Sequence, residues 1–177
     1  MIKIILELIT TMNDNSIYQY STRGNKMTAS IHSIGNIVEY DPSNKFHVKE
    51  LERLIKNFLD IRELDDEAVK YLTNPAAYFY EVNSKFVGCC IFRYNNQKTF
   101  YIRVFMIHHK FHRRGFGGGF LSDVIDLYRG NNQINAAQLA TGLDNTPAIN
   151  LYKKIGFNIK TIGIDEGRKF ALMELLY

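Results

Sequence analysis

The chain has 177 residues, of which 46% are hydrophobic and 23% are charged, and its formal net charge is +4. This length and composition are ordinary for one globular domain with a proper core. The basic residues concentrate between His108 and Arg114, which favours a local anion site over an extended nucleic-acid-binding face. A membrane span is not expected, because the apolar stretch at residues 1–11 is far too short.

The two cysteines, Cys89 and Cys90, are neighbours within one apolar segment. Neighbouring side chains of a strand point to opposite faces of the sheet, so a disulfide between them is not expected. Two buried thiols that behave as small hydrophobic groups predict a reducing, cytoplasmic location.

The first 26 residues are predicted to form an extension to the main domain. Residues 1–11 alternate as in a possible strand, and residues 13–26 are polar and rich in turn formers. A signal peptide is disfavoured because no small-residue cleavage pattern follows. The domain proper is therefore expected at residues 27–177, and Met27 is a conceivable alternative start.

A strand and two helices are predicted next. The strand covers residues 37–40, and the first helix is capped by Ser43 or Asn44. Apolar residues recur in this helix at helical spacing, namely Val48, Leu51, Leu54, Ile55, Phe58 and Leu59. An acidic run at residues 60–67 leads into a second short helix through Val69 and Leu72, which ends at Asn74-Pro75.

From residue 77 the apolar period changes from helical to extended. Three antiparallel strands joined by polar turns are predicted at residues 77–82, 86–94 and 99–107. The remaining predicted elements are a helix at 116–129, a strand at 134–141, a helix at 145–155, and strands at 157–164 and 169–176. This order predicts a mixed α/β single domain in which a glycine-rich loop follows a central strand.

The chemistry is expected at residues 107–121, where an apolar strand, a basic cluster and four glycines lead into a helix. Glycine lets a ligand approach the backbone closely, and the first turn of a helix offers unpaired N–H groups to an anion. A nucleotide-hydrolase loop is excluded because no Lys-Ser/Thr pair follows Gly115. The glycine spacing and the preceding hairpins exclude a dinucleotide fingerprint. A purely structural glycine turn is the remaining alternative.

Two motifs together resemble the GNAT superfamily of N-acetyltransferases. The segment His112-Arg113-Arg114-Gly115-Phe116-Gly117 is similar to the family's pyrophosphate-binding motif, Gln/Arg-x-x-Gly-x-Gly/Ala. The second half of the family pattern follows as Asn145-x-x-Ala148-x-x-Leu151-Tyr152-x-x-x-Gly156-Phe157. The resemblance covers residues 77–176. It departs from the family at His112, where Gln or Arg is usual, and at Gly118 and Gly119, where helix formers are more common.

The resemblance implies a mostly antiparallel mixed sheet that splays between its fourth and fifth strands, with acetyl-CoA as co-substrate and no metal. A backbone N–H near Phe105 or Met106 would polarise the thioester carbonyl, main-chain N–H groups from Arg113 to Gly118 would hold the pyrophosphate, and Asn145 would hold the pantetheine arm. The implied cofactor-binding residues are Phe105, Met106, Ile107, His112, Arg113, Arg114, Gly115, Gly117, Gly118 and Asn145.

The resemblance also makes Tyr152 the general acid that protonates the departing CoA thiolate. The alternative for Tyr152 is a core aromatic on an amphipathic helix. The general base is left open, because the central strand holds Tyr101 and Arg103 and no carboxylate. Glu81 is a tentative base, acting directly or through water, and His108 and His109 are further candidates.

The acidic run at residues 60–67 lies in the region that resembles the acceptor wall of the family. If its carboxylates face the cleft, they would favour a small cationic acceptor such as a polyamine or aminoglycoside; a solvated connection between helices is the alternative. The expected partner is thus a small-molecule primary amine, with no nucleic acid or membrane, and the chain is expected to be a monomer or homodimer. A lysine or N-terminus of a protein is the first alternative acceptor. A CoA-binding regulatory domain without turnover is the alternative from another class.

Overall fold

The structure is a computed structural model that describes residues 35–59, 75–95, 98–129, 134–165 and 167–177. The predicted N-terminal extension, the acidic run at residues 60–67 and the second short helix lie outside the described residues. The elements are β1 (Asn36–Glu39), α1 (Lys45–Leu59), β2 (Ala76–Val82), β3 (Lys85–Asn95), β4 (Thr99–Ile107), α2 (Phe116–Arg129), β5 (Ala136–Gly142), α3 (Thr146–Ile155), β6 (Asn158–Asp165) and β7 (Arg168–Leu176).

The strands form one sheet in the order β1-β2-β3-β4-β5-β7-β6. All neighbours are antiparallel except β4 and β5, which run parallel. The pairing of β4 with β5 stops at Ile102 opposite Leu139, although both strands continue beyond that point. The predicted mixed α/β fold and its splay between the fourth and fifth strands are therefore confirmed.

The sheet carries a hydrophobic core on each face. On what we call the α2/α3 face, Tyr80, Cys90, Phe120 and Tyr152 are buried among residues of α2 and α3. On the α1 face, the buried cluster joins α1 to β2, β3 and β4 through Leu51, Leu54, Phe79, Cys89, Val104 and Met106. Cys89 and Cys90 thus point to opposite faces, and both are free thiols, as the sequence predicts.

A β-bulge at Arg103 divides β4 into two halves. In the pairing with β3, Val104 lies opposite Ile91 and Ile102 lies opposite Phe92, so Arg103 has no residue opposite it. A bulge shifts the alternation of side chains. Before it Phe100 and Ile102 join the α2/α3 cluster, and after it Val104 and Met106 join the α1 cluster. The bulge falls one residue beyond the last β4–β5 pair, so the strand changes its facing where it leaves β5.

Local side-chain chemistry sets the ends of α1 and α3. Of the two caps proposed for α1, Asn44 is the one used, since its Oδ1 accepts from the N–H of Phe46 at 2.9 Å. Helix α3 begins after Asn145, whose Oδ1 accepts from the N–H of Ala148 at 3.3 Å, with Pro147 in its first turn. It ends at Gly156, whose φ of 112° is left-handed.

Candidate active site

The glycine-rich loop turns sharply between the end of β4 and the start of α2. A short 3₁₀ turn at His109–Phe111 follows β4. Arg113 and Gly115 then adopt left-handed φ values of 59° and 82°. These two residues reverse the chain so that α2 begins at Phe116 with its first turn at the open end of the splay.

The first turn of α2 has the geometry of an anion site. The first bond of the helix runs from the N–H of Gly119 to the carbonyl of Gly115, at 3.1 Å. The N–H groups of Phe116, Gly117 and Gly118 therefore have no acceptor within the helix. Exposed basic side chains, Arg113 and Arg114, precede this turn. The arrangement fits a pyrophosphate, which such N–H groups and the helix dipole stabilise.

The three consecutive glycines, Gly117, Gly118 and Gly119, differ in whether packing requires a glycine at that position. A Cβ at Gly117 or Gly118 would come no closer than 3.5 Å to any side chain, so the packing of the fold does not demand glycine at either position. At Gly119 a Cβ would lie 3.1 Å from the hydroxyl of Tyr80, so glycine there serves the packing of α2 on the sheet. A requirement for glycine at these two positions would therefore come from the close approach of a ligand to the backbone, and not from packing.

His112, the departure from the usual motif, has its ring turned back onto β4. Its Nε2 lies 2.6 Å from the carbonyl oxygen of Ile107. A carbonyl oxygen only accepts, so Nε2 is the nitrogen that carries the proton in this contact. The side chain thus ties the loop to the strand end, while the backbone beyond it faces the anion site.

The direction of the backbone amides in β4 distinguishes Phe105 from Met106. The N–H of His108 donates to the carbonyl of Val87 on β3, at 2.7 Å. Amides alternate in direction along a strand, and the β3–β4 register is regular from Gly88 to Ile91. The N–H of Met106 therefore points to β3, whereas that of Phe105 points into the splay. Phe105 is the residue placed to donate to a ligand there.

Tyr152 packs on the α2/α3 face of the sheet, on the side of the splay. It lies on α3, is 8% exposed, and packs near Phe157 with ring centroids 6.1 Å apart. Burial raises the pKa of Tyr152 to about 12, and the neighbouring Cys90 acts in the same direction. Cys90 is directly opposite Phe105 in the β3–β4 register. Tyr152 therefore shares a buried cluster with the partner of Phe105 in the sheet, and its raised pKa keeps the phenol protonated at neutral pH.

Glu81 is not brought to this point. It pairs with Phe86 at the end of the β2–β3 hairpin, two strands from β4 and beyond the level of Ile107. Ordinary strand spacings place its Cα about 17 Å from that of Phe105. A direct role as base beside Phe105 would need a far shorter distance, so only a relay through water is compatible with the register.

Glu81 and His108 instead line one cleft on the α1 face, with a volume of about 470 Å³. Burial lowers the pKa of His108, and the nearby His109, Arg53, Lys110 and His112 lower it further. Its Nδ1 accepts from the N–H of Lys110 at 3.3 Å. The cleft therefore contains both an imidazole whose pKa is lowered and the carboxyl group of Glu81.

A polar row crosses the α1 face where β4 and β5 part, and sequence patterns gave no signal for it. Tyr101 lies opposite Gln138, which lies opposite Glu174 on β7. Gln138 Nε2 donates to Glu174 Oε2, and Lys160 Nζ lies 2.7 Å from the same oxygen. Desolvation acts to raise the pKa of Glu174, but these two hydrogen bonds outweigh it and leave the pKa below its usual value. Only the strand register reveals the row.

Asn145 serves first as the cap of α3. Its Oδ1 accepts from the N–H of Ala148, and its Nδ2 keeps two N–H donors that a ligand can use. Among the described residues no group of three or more His, Cys, Asp or Glu side chains is placed to hold a metal ion. None of the helices in the described ranges is long and apolar enough to cross a membrane.

Comparisons with known proteins concern the family and the fold of the chain. Residues 42–157 match the family model described as Acetyltransferase (GNAT) family. No curated protein matches the sequence significantly. A GNAT family acetyltransferase from Elizabethkingia anophelis with acetyl-CoA bound is a similar solved structure, with 21% identity, a TM-score of 0.66, and coverage of 81% of this chain and 99% of that one.

Two other similar structures act on different acceptors. One is the ribosomal-protein-S18-alanine N-acetyltransferase of Escherichia coli, with 16% identity, a TM-score of 0.66, and coverage of 80% of this chain and 93% of its own. The other is a spermidine N-acetyltransferase chimera from Vibrio cholerae and hSSAT, with 15% identity, a TM-score of 0.66, and coverage of 81% and 96%. At these identities the likeness concerns the fold alone.

Proposed function

Because the chain belongs to the GNAT family of acetyltransferases, which use acetyl-CoA as co-substrate, we propose that it transfers the acetyl group directly to a primary amine of a small cationic molecule. The observation that carries the transfer chemistry is that Tyr152 and Cys90 are buried in one cluster, against which Phe105 packs, and that Phe105 lies opposite Cys90 at the splay. One residue supplies a proton and the other a backbone N–H, and direct transfer needs both within reach of one thioester.

Binding of the co-substrate is assigned to the loop and the first turn of α2. The N–H groups from Arg113 to Gly118 would hold the pyrophosphate, aided by the charge of Arg114 and by the helix dipole. His112 would support this loop through its bond to Ile107, and Nδ2 of Asn145 would contact the pantetheine arm. Bound in this way, acetyl-CoA supplies an activated acetyl group at the splay.

Three steps are then assigned to the chain. The N–H of Phe105 stabilises the negative charge that develops on the carbonyl oxygen. Tyr152 donates its proton to the departing sulfur, and its raised pKa keeps that proton in place at neutral pH. The acceptor amine loses its proton to water in the splay. The amine then attacks the thioester carbonyl carbon, so that a C–N bond forms as the C–S bond breaks. Its proton would pass on through water to either Glu81 or His108, because the register separates Glu81 from Phe105.

The acceptor would approach from the α1 face, since α2 and α3 cover the other face beside β4. There the polar row presents Glu174, which stays ionised because Lys160 and Gln138 hold its pKa low. Lys160 is half-exposed, and its ammonium forms an ion pair with Glu174. An acceptor ammonium group could replace it, which supports a molecule with more than one amine, such as a polyamine or aminoglycoside.

An amine on a protein, at a lysine or an N-terminus, is the second candidate. Its support is the positive charge beside Tyr101, where the Arg93 guanidinium lies 5.5 Å from the ring centroid. Burial raises the pKa of Tyr101, and both Arg93 and Arg103 act to lower it, so both charges are near its hydroxyl. Such a surface would attract an acidic peptide and repel a polyamine.

An acceptor screen separates these proposals. Release of free CoA thiol from acetyl-CoA is followed with polyamines, aminoglycosides, amino acids and peptides as acceptors. Turnover with polyamines or aminoglycosides supports the first proposal, and turnover with peptides alone supports the second. Tight CoA binding with no thiol release for any acceptor would instead indicate a CoA-binding regulatory domain.

A further inference from the structure

Strand β6 forms an edge of the sheet and exposes three isoleucines. Ile159, Ile162 and Ile164 are 39%, 55% and 67% exposed. Within the described ranges β6 pairs only with β7, so its outer edge presents unpaired backbone groups. An edge strand that is long, free of proline and rich in exposed apolar residues is a template for pairing with another strand.

The three isoleucines lie on one face. Ile159 is opposite Met173 and Ile162 is opposite Ala171 on β7, and both of these β7 residues are buried in the α2/α3 cluster. Directly opposite residues of an antiparallel pair point to the same face. Ile164 follows Ile162 by two residues and shares its facing. The α2/α3 core therefore continues as an apolar stripe to the sheet edge.

We propose that β6 pairs with β6 of a second copy of this chain, antiparallel, which joins the two seven-stranded sheets edge to edge. Gly163 would lie at the two-fold axis, so that Ile162 is opposite Ile164 of the second copy, and the reverse. Both sheets keep their facing in such a pair, so only residues of the same face can be opposite each other. This register satisfies that condition and closes four isoleucines into one cluster.

The other face of β6 fits the same register. A Cβ at Gly163 would lie 2.3 Å from the ring of Phe170, so glycine is required where that ring covers the strand. Two glycines then lie opposite each other at the axis, and neither adds a side chain to the face that Phe170 covers. Thr161 would be opposite Asp165 of the second copy, next to Lys160. An alcohol, an ammonium and a carboxylate are a compatible group, and like charges are not opposed.

The self-complementary pattern is the reason for choosing a second copy as the occupant. The sequence Thr161-Ile162-Gly163-Ile164-Asp165 places an apolar residue on each side of a central glycine and a polar residue beyond each. A strand of this pattern matches itself when reversed, as an isologous interface requires. The edge lies beyond β7, two strands from β5, so the pairing leaves the splay between β4 and β5 accessible.

Sedimentation equilibrium of the full chain tests the dimer. We expect twice the mass of the chain at micromolar concentration, and Ile164→Lys should raise the dissociation constant at least tenfold. Leu176→Lys is the matched control, because Leu176 is 73% exposed on β7, away from the Gly163 end of the edge. Circular dichroism should show both variants folded. A monomeric parent chain, or an equal effect of both substitutions, overturns the proposal.

Disulfide cross-linking tests the register. The double variant with Ile162→Cys and Ile164→Cys should form covalent dimers under mild oxidation, and each single variant should not, since opposite residues in the pair carry different numbers. The native thiols do not interfere, because Cys89 and Cys90 are buried. Cross-linking by Ile162→Cys alone would overturn the axis at Gly163. If the full chain is monomeric and dimerises only when residues 1–26 are deleted, the extension covers the edge and a second copy is the wrong occupant.

Discussion

Tyr152 on α3 and Cys90 on β3 are buried in the same cluster on the α2/α3 face. Helix α3 follows β5 in the chain and packs on the α2/α3 face of the sheet, which brings Tyr152 to Cys90 from the far side of the splay. Cys90 in turn lies opposite Phe105. The shared cluster therefore brings α3 to the level where β4 and β5 separate, and the main prediction about catalysis depends on this placement.

Replacing Tyr152 by Phe should lower kcat by about 10²-fold or more, the usual contribution of a placed general acid, with little change in the Kd for CoA. Tyr40→Phe is the control, since Tyr40 is equally buried but lies in the α1 cluster. Steady-state kinetics and calorimetric titration with CoA measure the two effects. An unchanged kcat in Tyr152→Phe at every pH would remove this residue from the acid role.

The pH dependence of kcat gives a separate test of Tyr152. Its pKa is raised to about 12, so the acid form persists through the whole alkaline assay range and is lost only above that value. We expect kcat to rise with pH as the acceptor amine deprotonates and then to stay level up to about pH 10, near the ordinary pKa of tyrosine. A descending limb centred below pH 9 that vanishes in Tyr152→Phe would contradict the raised pKa.

Alanine substitutions should separate the roles of the glycines. Gly118→Ala leaves contacts of ordinary length and adds helix propensity, so the free energy of unfolding should rise by up to about 1 kcal/mol. Its Kd for CoA should nevertheless increase at least tenfold, because a side chain in the first turn hinders the close approach of a phosphate to the backbone N–H groups. Gly119→Ala should instead lower the melting temperature, through its contact with Tyr80. Equal CoA affinity in Gly118→Ala and the parent chain would show that the phosphates bind elsewhere.

Substitution of His112 tests whether its side chain supports the loop. His112→Ala removes the donor to Ile107 and should weaken CoA binding by about 1 kcal/mol, the net worth of one hydrogen bond. His112→Gln keeps an N–H donor of similar reach and should bind CoA within about threefold of the parent chain, a difference smaller than one such bond. Calorimetric titration measures both. Equal losses for Ala and Gln would indicate that the imidazole itself contacts phosphate.

The polar row predicts opposite effects of two substitutions on a cationic acceptor. Glu174→Gln removes the carboxylate and should raise KM at least fivefold with kcat nearly unchanged. Lys160→Ala frees that carboxylate and should lower KM. An acceptor with a single amino group and no further charge is the control, and for it both substitutions should change KM only slightly. A fall in kcat with constant KM in Glu174→Gln would point to a role in proton transfer.

The buried thiols should be inert in the folded chain. Burial raises the pKa of Cys89 to about 12 and that of Cys90 well above its usual value, so the reactive thiolate is scarce at pH 8. A chromogenic thiol reagent should react with neither residue until denaturant is added. Since folding disfavours the thiolates, stability is fully present below the ordinary thiol pKa and declines as pH rises toward 12. If the native protein reacted as fast as an exposed thiol does, the burial of these residues would be contradicted.

Sequence reasoning succeeded where the deciding chemistry is local. Asn44, one of the two caps proposed for α1, has its side-chain oxygen two residues from the backbone N–H that it accepts from. The glycine loop and the order of strands and helices follow from short motifs and apolar periodicity in the same way. These features required no knowledge of which strands are neighbours.

Features that depend on strand register could not be predicted in this way. Glu81 was a plausible base from its residue type, and only the pairing with Phe86 separates it from Phe105. The bulge at Arg103 depends on how β3 and β4 pair, and the row through Gln138 and Glu174 depends on two further pairings. The ring of His112 contacts a carbonyl five residues earlier, a contact that exists only because the loop folds back.

Because of the bulge at Arg103, the position of the backbone donor at Phe105 depends on the number of residues in β4. No side-chain substitution at Phe105 removes its N–H, short of proline, so point mutation can alter the walls of the splay while this donor persists. Deleting Arg103 would turn β4 into a regular strand, and its pairing with either β3 or β5 would have to slip by one residue. The donor is therefore tolerant of changes in composition and sensitive to a single change in length.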